Sequence, residues 1–309
     1  MSKIAFFFPG QGSQSVGMMA GFGDNPCIKQ TFTEASDILE TDFWAMVTEP
    51  NELLNLTQNT QPLMLIAGIA SYRAYIQAGG QEANIYAGHS LGEYTALVAA
   101  GALSFADALP LVKYRAEVMQ SAVPEGIGSM AAILGLDDDI VRAVCAEAAQ
   151  SEVCEAVNYN SIGQVVIAGN KAAVERGMEI AKAKGAKRAL ALPVSVPSHC
   201  ALMKPAAEKL AEYLKNVAII TPNTPVIHNA DVASYNGAPQ IKDALMRQLY
   251  SPVRWVDTVQ AIAEQGVTIS AECGPGKVLA GLTKRIIAEL SCTALISNEA
   301  IAEFIATNI

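Results

Sequence analysis

A five-residue run, Gly88-His89-Ser90-Leu91-Gly92, constrains what this chain can fold into more than any other stretch. It stands between a short apolar run, Ile85 to Ala87, and an amphipathic run, Glu93 to Leu103. Gly-x-Ser-x-Gly in that setting predicts a strand, a sharp turn and a helix, the arrangement of a nucleophile elbow. The flanking glycines admit a backbone too tight for a Cβ, and the serine is held at the tip. The helix that follows points free N–H groups and its positive end at charge forming on a reacting carbonyl oxygen. The functional reading is an acyl-enzyme on Ser90. The alternative is a structural Gly-rich turn.

Composition narrows the setting of that elbow. A chain of 309 residues can bury a large core in one domain or two. Few aromatics among 51% hydrophobic residues suit closely packed helices on a sheet. The net charge of −9 disfavours general nucleic-acid binding, so an anionic partner would need a local basic patch. Cys27, Cys145, Cys154, Cys200, Cys273 and Cys292 are scattered without a Cys-x-x-Cys pair. That argues against zinc or a disulfide framework and fits a reducing cytoplasm. The N-terminal apolar run is broken by Pro9 and Gly10 and is too short for a signal segment. No run has the length of a membrane span.

Residues 4 to 8 read as a buried strand that ends in Pro9-Gly10-Gln11-Gly12-Ser13-Gln14. This loop lacks the Lys-Ser/Thr of a P-loop, so it reads as one that brings backbone N–H groups close to a reacting group. Ser104 to Asp107 forms a capping box that opens a helix toward Ala122, with Pro110 expected to kink it or delay its start. Leu109, Val112, Ala116, Met119 and Val123 make its apolar stripe. From 126 to 195 the rhythm changes to strand 129–134, helix 138–149, strands 154–159 and 164–168, helix 172–184 and strand 188–194. The order βαββαβ predicts a ferredoxin-like unit inserted into a larger domain. Helices follow at 205–214, 241–249, 256–265 and 278–290, with short strands at 226–228 and 268–270. The expected fold is α/β: a hydrolase-like core with a largely parallel sheet, residues 1–125 and 197–309, plus the inserted subdomain, residues 126–196.

Serine needs a base. Of three histidines, His89 adjoins Ser90 and its side chain should leave the elbow in another direction. His228 sits in a strand-like run and reads as a packed histidine. His199, in the loop Val196-Pro197-Ser198-His199-Cys200, remains by elimination. No aspartate stands out as a third member, which leaves a backbone carbonyl to orient the imidazole. Arg115 lies at the edge of the helix stripe. It is either a snorkelling arginine or a partly buried guanidinium awaiting a carboxylate.

Seven motifs in order resemble one family, the malonyl-CoA:acyl-carrier-protein transacylases of bacterial fatty-acid synthesis, from about Lys3 to Leu290. They are Phe8 to Gln14, Thr60-Gln61-Pro62, Gly88 to Tyr94, Asn160-Ser161-x-Gly163-Gln164-Val165, Pro197-Ser198-His199, Arg247-Gln248-Leu249-Tyr250-x-Pro252-Val253 and Gly274 to Leu279. The resemblance implies Ser90 as nucleophile and His199 as general base and acid. It implies an oxyanion hole from the N–H groups of Gln11 and Leu91, and the carbonyl of Gln248 orienting His199. Arg115 would pair with the malonyl carboxylate, and Pro110 is the departure in its helix. Implied too are ping-pong transfer from malonyl-CoA to the phosphopantetheine thiol of acyl carrier protein, and no metal or bound cofactor. Alternatives are a serine thioesterase or esterase, a methylmalonyl-preferring acyltransferase of a polyketide pathway, and a docking module without catalysis. A basic rim near the cleft, drawn from Lys187, Arg188, Lys284 and Arg285, is the expected docking surface for the acidic carrier protein. The chain is expected to be cytoplasmic and monomeric, with no nucleic-acid or membrane partner.

Overall fold

A computed structural model describes residues 3–194 and 196–308. Met1 and Ser2 of the N-terminal run, Ser195 of the second segment and Ile309 lie outside the described residues. Strand β1, Lys3–Phe8, is buried from Ile4 onward on both faces, as a central strand of a helix-covered parallel sheet must be. Three helices follow: α1, Pro26–Leu39; α2, Phe43–Thr48; and α3, Thr57–Gln77. The third is buried along Thr60–Tyr72, all round rather than on one stripe, and passes through the middle of the domain. Then come β2, Ile85–Gly88, α4, Gly92–Ala99, and α5, Phe105–Ser121. Ser104 caps α5, its Oγ accepting from the Asp107 N–H at 3.0 Å. Pro110 stands inside α5 but does not delay its start. The N–H it lacks would have met the carbonyl of Ala106, an exposed residue, so water can take that carbonyl's place on the helix ladder.

The next segment contains β3, Gly128–Leu134, α6, Asp138–Ala149, β4, Cys154–Ser161, β5, Gln164–Asn170, α7, Lys171–Ala183, and β6, Arg188–Ala191. Its strands form an antiparallel sheet in the order β4-β5-β3-β6, the ferredoxin-like arrangement expected of βαββαβ. The rest of the chain supplies α8, Lys204–Leu214, β7, Val226–Ile227, α9, Ala238–Gln248, α10, Trp255–Glu264, β8, Val267–Glu272, α11, Val278–Ile286, β9, Ser291–Ala294, and α12, Asn298–Asn308. The first sheet is five-stranded, β7-β2-β1-β8-β9, and its pairings are all parallel.

Parallel register brings the C-terminal ends of neighbouring strands to one edge, where α/β proteins hold ligands. Phe8 pairs with Gly88, so the Pro9–Gln14 loop and the elbow leave the sheet side by side. Ala87 pairs with Ile227, which delivers His228 and Asn229 to the same edge. The antiparallel sheet is joined to this edge by main chain: Tyr159 N–H donates to Val253 O at 3.0 Å and Val253 N–H to Val157 O at 2.8 Å.

Candidate active site

The glycines of the elbow are required by close approach. A Cβ on Gly92 would lie 1.9 Å from the Phe8 carbonyl oxygen, and one on Gly88 1.9 Å from Gly92. One on Gly10 would lie 2.6 Å from the His89 carbonyl oxygen. Three backbones thus meet where side chains do not fit. Between the elbow glycines, Ser90 holds φ +51°, a left-handed conformation that costs a non-glycine residue roughly 1–3 kcal/mol. The surroundings pin it. Its N–H donates to Asn229 Oδ1 at 2.7 Å and its carbonyl accepts from Gln248 Nε2 at 2.9 Å.

Asn229 is fixed in turn. Its Nδ2 donates to the Gly88 carbonyl at 2.7 Å, and its N–H donates to Glu93 Oε2 at 2.8 Å. Glu93, fully buried on α4, also accepts from Gln248 Nε2 at 2.9 Å and from His228 Nδ1 at 2.7 Å. His228 is therefore a packed histidine with a carboxylate partner, as its strand-like setting predicts.

His199 arrives on a loop that docks onto the end of α9. Its N–H donates to the Leu249 carbonyl at 2.9 Å and its Nδ1 to the Gln248 carbonyl at 2.8 Å. The last carbonyls of a helix have no partner inside it. Pro252, four residues beyond Gln248, has no N–H to offer that carbonyl. With Nδ1 donating to a carbonyl, Nε2 carries the lone pair, and it accepts from Ser90 Oγ at 2.8 Å. Burial, reinforced by the charge of Arg115, lowers the His199 pKa to about 3, so the imidazole is neutral and its Nε2 is free to accept. His89 turns away from the serine, its Nε2 donating to Asn160 Oδ1 of β4 at 2.8 Å, and burial lowers its pKa as well.

Arg115 is 1% exposed on α5. Nη1 donates to Gln61 Oε1 at 2.6 Å; Nη2 donates to Gln248 Oε1 at 2.9 Å and to Ser90 Oγ at 3.2 Å. Its Nε is buried without a hydrogen-bond acceptor, and the Tyr94 ring centroid lies 5.3 Å from the guanidinium carbon. No carboxylate pairs with it among the described residues. Burial lowers its pKa, yet a guanidinium keeps its proton.

These groups meet at one cleft. Gln11, Gln61, Ser90, Leu91, Arg115 and His199 come from the parallel-sheet side, and Met130, Asn158 and Leu192 from the antiparallel-sheet segment. Among the described residues the backbone N–H groups of Gln11 and Leu91 donate to no protein acceptor. No cluster of His, Cys, Asp and Glu among the described residues could hold a metal ion.

A serine hydroxyl, a carbonyl-anchored imidazole and a buried guanidinium thus share one cleft. The model of the acyl transferase domain matches residues 5–302. A malonyl CoA-acyl carrier protein transacylase of Salmonella typhimurium is 55% identical over 297 residues, 96% of each chain. This chain belongs to the malonyl CoA-acyl carrier protein transacylase family. An acyl-carrier-protein S-malonyltransferase from Burkholderia pseudomallei superposes on it with a TM-score of 0.97 at 58% identity, covering 98% of this chain and 99% of that one. A malonyl-transacylase solved in complex with its type II PKS acyl-carrier protein gives a TM-score of 0.98 at 51% identity, covering 99% and 100%.

Against that family the sequence-predicted residues fall in two groups. Ser90, His199, Gln248, Arg115, Gln11 and Leu91 meet at the cleft. Lys187, Arg188, Lys284 and Arg285 are exposed and none of them lines that cleft; the first two stand beside Leu134 at the end of β3 and the other two on α11. Sequence reasoning passed over Gln61, Glu93, Asn160 and Asn229 as individual residues. Three of them stand inside quoted motifs, but only the folded chain shows what each one holds.

Proposed function

We propose that this protein transfers a malonyl group from malonyl-CoA to the phosphopantetheine thiol of acyl carrier protein through a malonyl-Ser90 intermediate. One observation carries the reading: a buried guanidinium, without a carboxylate partner among the described residues, stands 3.2 Å from the nucleophilic oxygen. That spacing suits an acyl group whose own carboxylate lies one carbon beyond its carbonyl. A hydrolase of neutral acyl chains has no use for such a cation. The names of the relatives point the same way.

His199 Nε2 takes the Ser90 hydroxyl proton as Oγ attacks the thioester carbonyl. The N–H groups of Gln11 and Leu91 receive the oxyanion at the head of α4. His199 returns the proton to the departing CoA thiolate, and malonyl-Ser90 stays closed against Arg115. The carrier-protein thiol then repeats the sequence, with His199 taking its proton. The division of labour follows the two segments: a catalytic core of residues 1–125 and 197–309 and a smaller subdomain of residues 126–196 that roofs the cleft. One chain supplies all the groups, so a monomer suffices. Six free cysteines suit a reducing cytoplasm, and no helix among the described residues is long and apolar enough to cross a membrane.

For the carrier protein, the proposed dock is the basic set. Arg285 Nη1 donates to Gln164 Oε1 at 2.8 Å, and Arg188 and Gln164 both face Leu134 in register, which joins α11 to the antiparallel sheet as one patch. Incubation with malonyl-CoA followed by intact-mass measurement tests the whole reading. A malonyl adduct on Ser90 that carrier protein discharges supports it; rapid hydrolysis identifies a hydrolase, and no adduct a binding module.

A further inference from the structure

We propose that Gln61 determines acyl specificity: its uncharged amide oxygen fixes Arg115 in place while leaving the guanidinium's charge to the acyl group's carboxylate. The inference rests on the malonyl-transfer reading and concerns a residue outside the acid–base machinery. Arg115 must be both held and unpaired. A free arginine side chain would lose its rotamer entropy only on binding, at a cost to affinity. A carboxylate in contact would hold it but would already neutralise it. Two amides resolve the conflict.

Gln61 Oε1 receives Nη1 at 2.6 Å and Gln248 Oε1 receives Nη2 at 2.9 Å. The nearest acid in the network, Glu93, is reached only through the Gln248 amide, and its oxygens are engaged by His228, Asn229 and Gln248. The Arg115 Nε, buried without an acceptor, is the donor left open. Gln61 itself is 2% exposed. Its Nε2 lies 3.8 Å from Met119 Sδ, a weak acceptor, so the amide's one strong bond is the one to Arg115. Gln61 immediately precedes Pro62 inside α3, and Pro110 stands one turn before Arg115 inside α5.

Gln61→Glu changes charge and almost nothing of shape, and sets a carboxylate beside Nη1. The guanidinium is then paired within the protein, and a malonyl carboxylate meets a neutral pair with an anion on its near side. The test measures kcat/KM for malonyl-CoA and acetyl-CoA in the intact protein, with Ser90 acylation followed by intact mass. Gln61→Glu should lower malonyl kcat/KM by about 10²-fold or more and leave acetyl-CoA within about threefold. Gln61→Leu removes the hold without adding charge. Its malonyl KM should rise about tenfold with kcat nearly kept, the signature of lost binding alone.

A wild-type malonyl-to-acetyl ratio in Gln61→Glu would overturn the inference. So would an unchanged malonyl KM in Gln61→Leu, which decides the matter even where Gln61→Glu does not fold. An equal fall of both thioesters in both variants would make the contact mere packing and would also overturn it. Absence of malonyl transfer by the wild-type protein is a different failure, that of the functional reading itself.

Discussion

At the serine end of the cleft, Ser90, His199 and Asn229 are each held by several hydrogen bonds from within the chain. A buried carboxylate, Glu93, stands behind them. At the arginine end, a buried cation is held by neutral oxygens and keeps one N–H without an acceptor. The serine end is complete before substrate arrives, and strain at Ser90 is stabilised by fixed partners. The arginine end is incomplete, and a buried unpaired charge is unfavourable until a carboxylate joins it. On the proposed malonyl transfer, catalysis rests on preorganisation at one end and selection on deficiency at the other.

The largest test strikes the serine end. Ser90→Ala should abolish acyl-enzyme formation and leave the fold intact, because among the described residues no other hydroxyl is hydrogen-bonded to His199 Nε2. Malonylation elsewhere in that variant, detected by peptide mass, would defeat the assignment. His199→Ala should slow acylation by roughly 10²- to 10⁴-fold. Greater damage from His89→Ala would mean that the wrong imidazole has been chosen, since His89 is committed to Asn160.

At the arginine end the effect should be selective. Removing one partner of a buried pair typically costs about 3–5 kcal/mol, or roughly 10²- to 10³-fold or more in rate. Arg115→Ala should therefore depress malonyl-CoA kcat/KM by that factor and spare or raise the value for acetyl-CoA. Arg115→Lys should recover part of the loss, since an ammonium keeps the charge without the planar fork. Equal losses for both thioesters would make Arg115 structural and erase the contrast between the two ends.

A smaller effect is expected outside the cleft. Reversing Lys187, Arg188, Lys284 and Arg285 should raise KM for carrier protein severalfold and leave acylation by malonyl-CoA unchanged, because all four are exposed and none lines the cleft that holds Arg115. Equal loss in both half-reactions would place the fault in the fold or the cleft rather than in docking.

What could be read from sequence was local. The elbow, the Ser104 cap and the βαββαβ order announce themselves within a few residues by turn chemistry and hydrophobic period. Helix α3 does not, because burial on all sides removes the amphipathic period that marks a helix. Strand β9 is short and half-exposed, with equally little signal. At the site, Ser90 is set by its pentapeptide, whereas Gln61 and Arg115 are 54 residues apart and Glu93 and Asn229 136 apart. No spacing rule links such pairs. Pro110 taught the reverse lesson: a strong local breaker was overridden by the packing of α5, and its orphaned carbonyl partner lies at an exposed residue.

The smallest expected effect is an absence, and it separates a buried base from an exposed one. With the His199 pKa lowered to about 3, the neutral form persists as pH falls. An imidazole titrating at its ordinary value of about 6.5 would lose roughly 30-fold of its basic form at pH ~5. Single-turnover acylation of Ser90, read by intact mass, should instead change less than about twofold from pH ~8 to pH ~5. The unfolded chain, however, protonates this histidine below about 6.5 while the folded one does not until about 3. The unfolded state binds more protons in that window, so stability must fall as pH drops through it. Melting curves at each pH keep the two effects apart. Because the charge of Arg115 is the second cause of the depression after burial, Arg115→Ala should move the acid limb of the rate profile upward. A wild-type midpoint near 6.5 would mean that His199 is solvated like an exposed imidazole. The serine end would then be no more preorganised than the arginine end, and the contrast between them would fail.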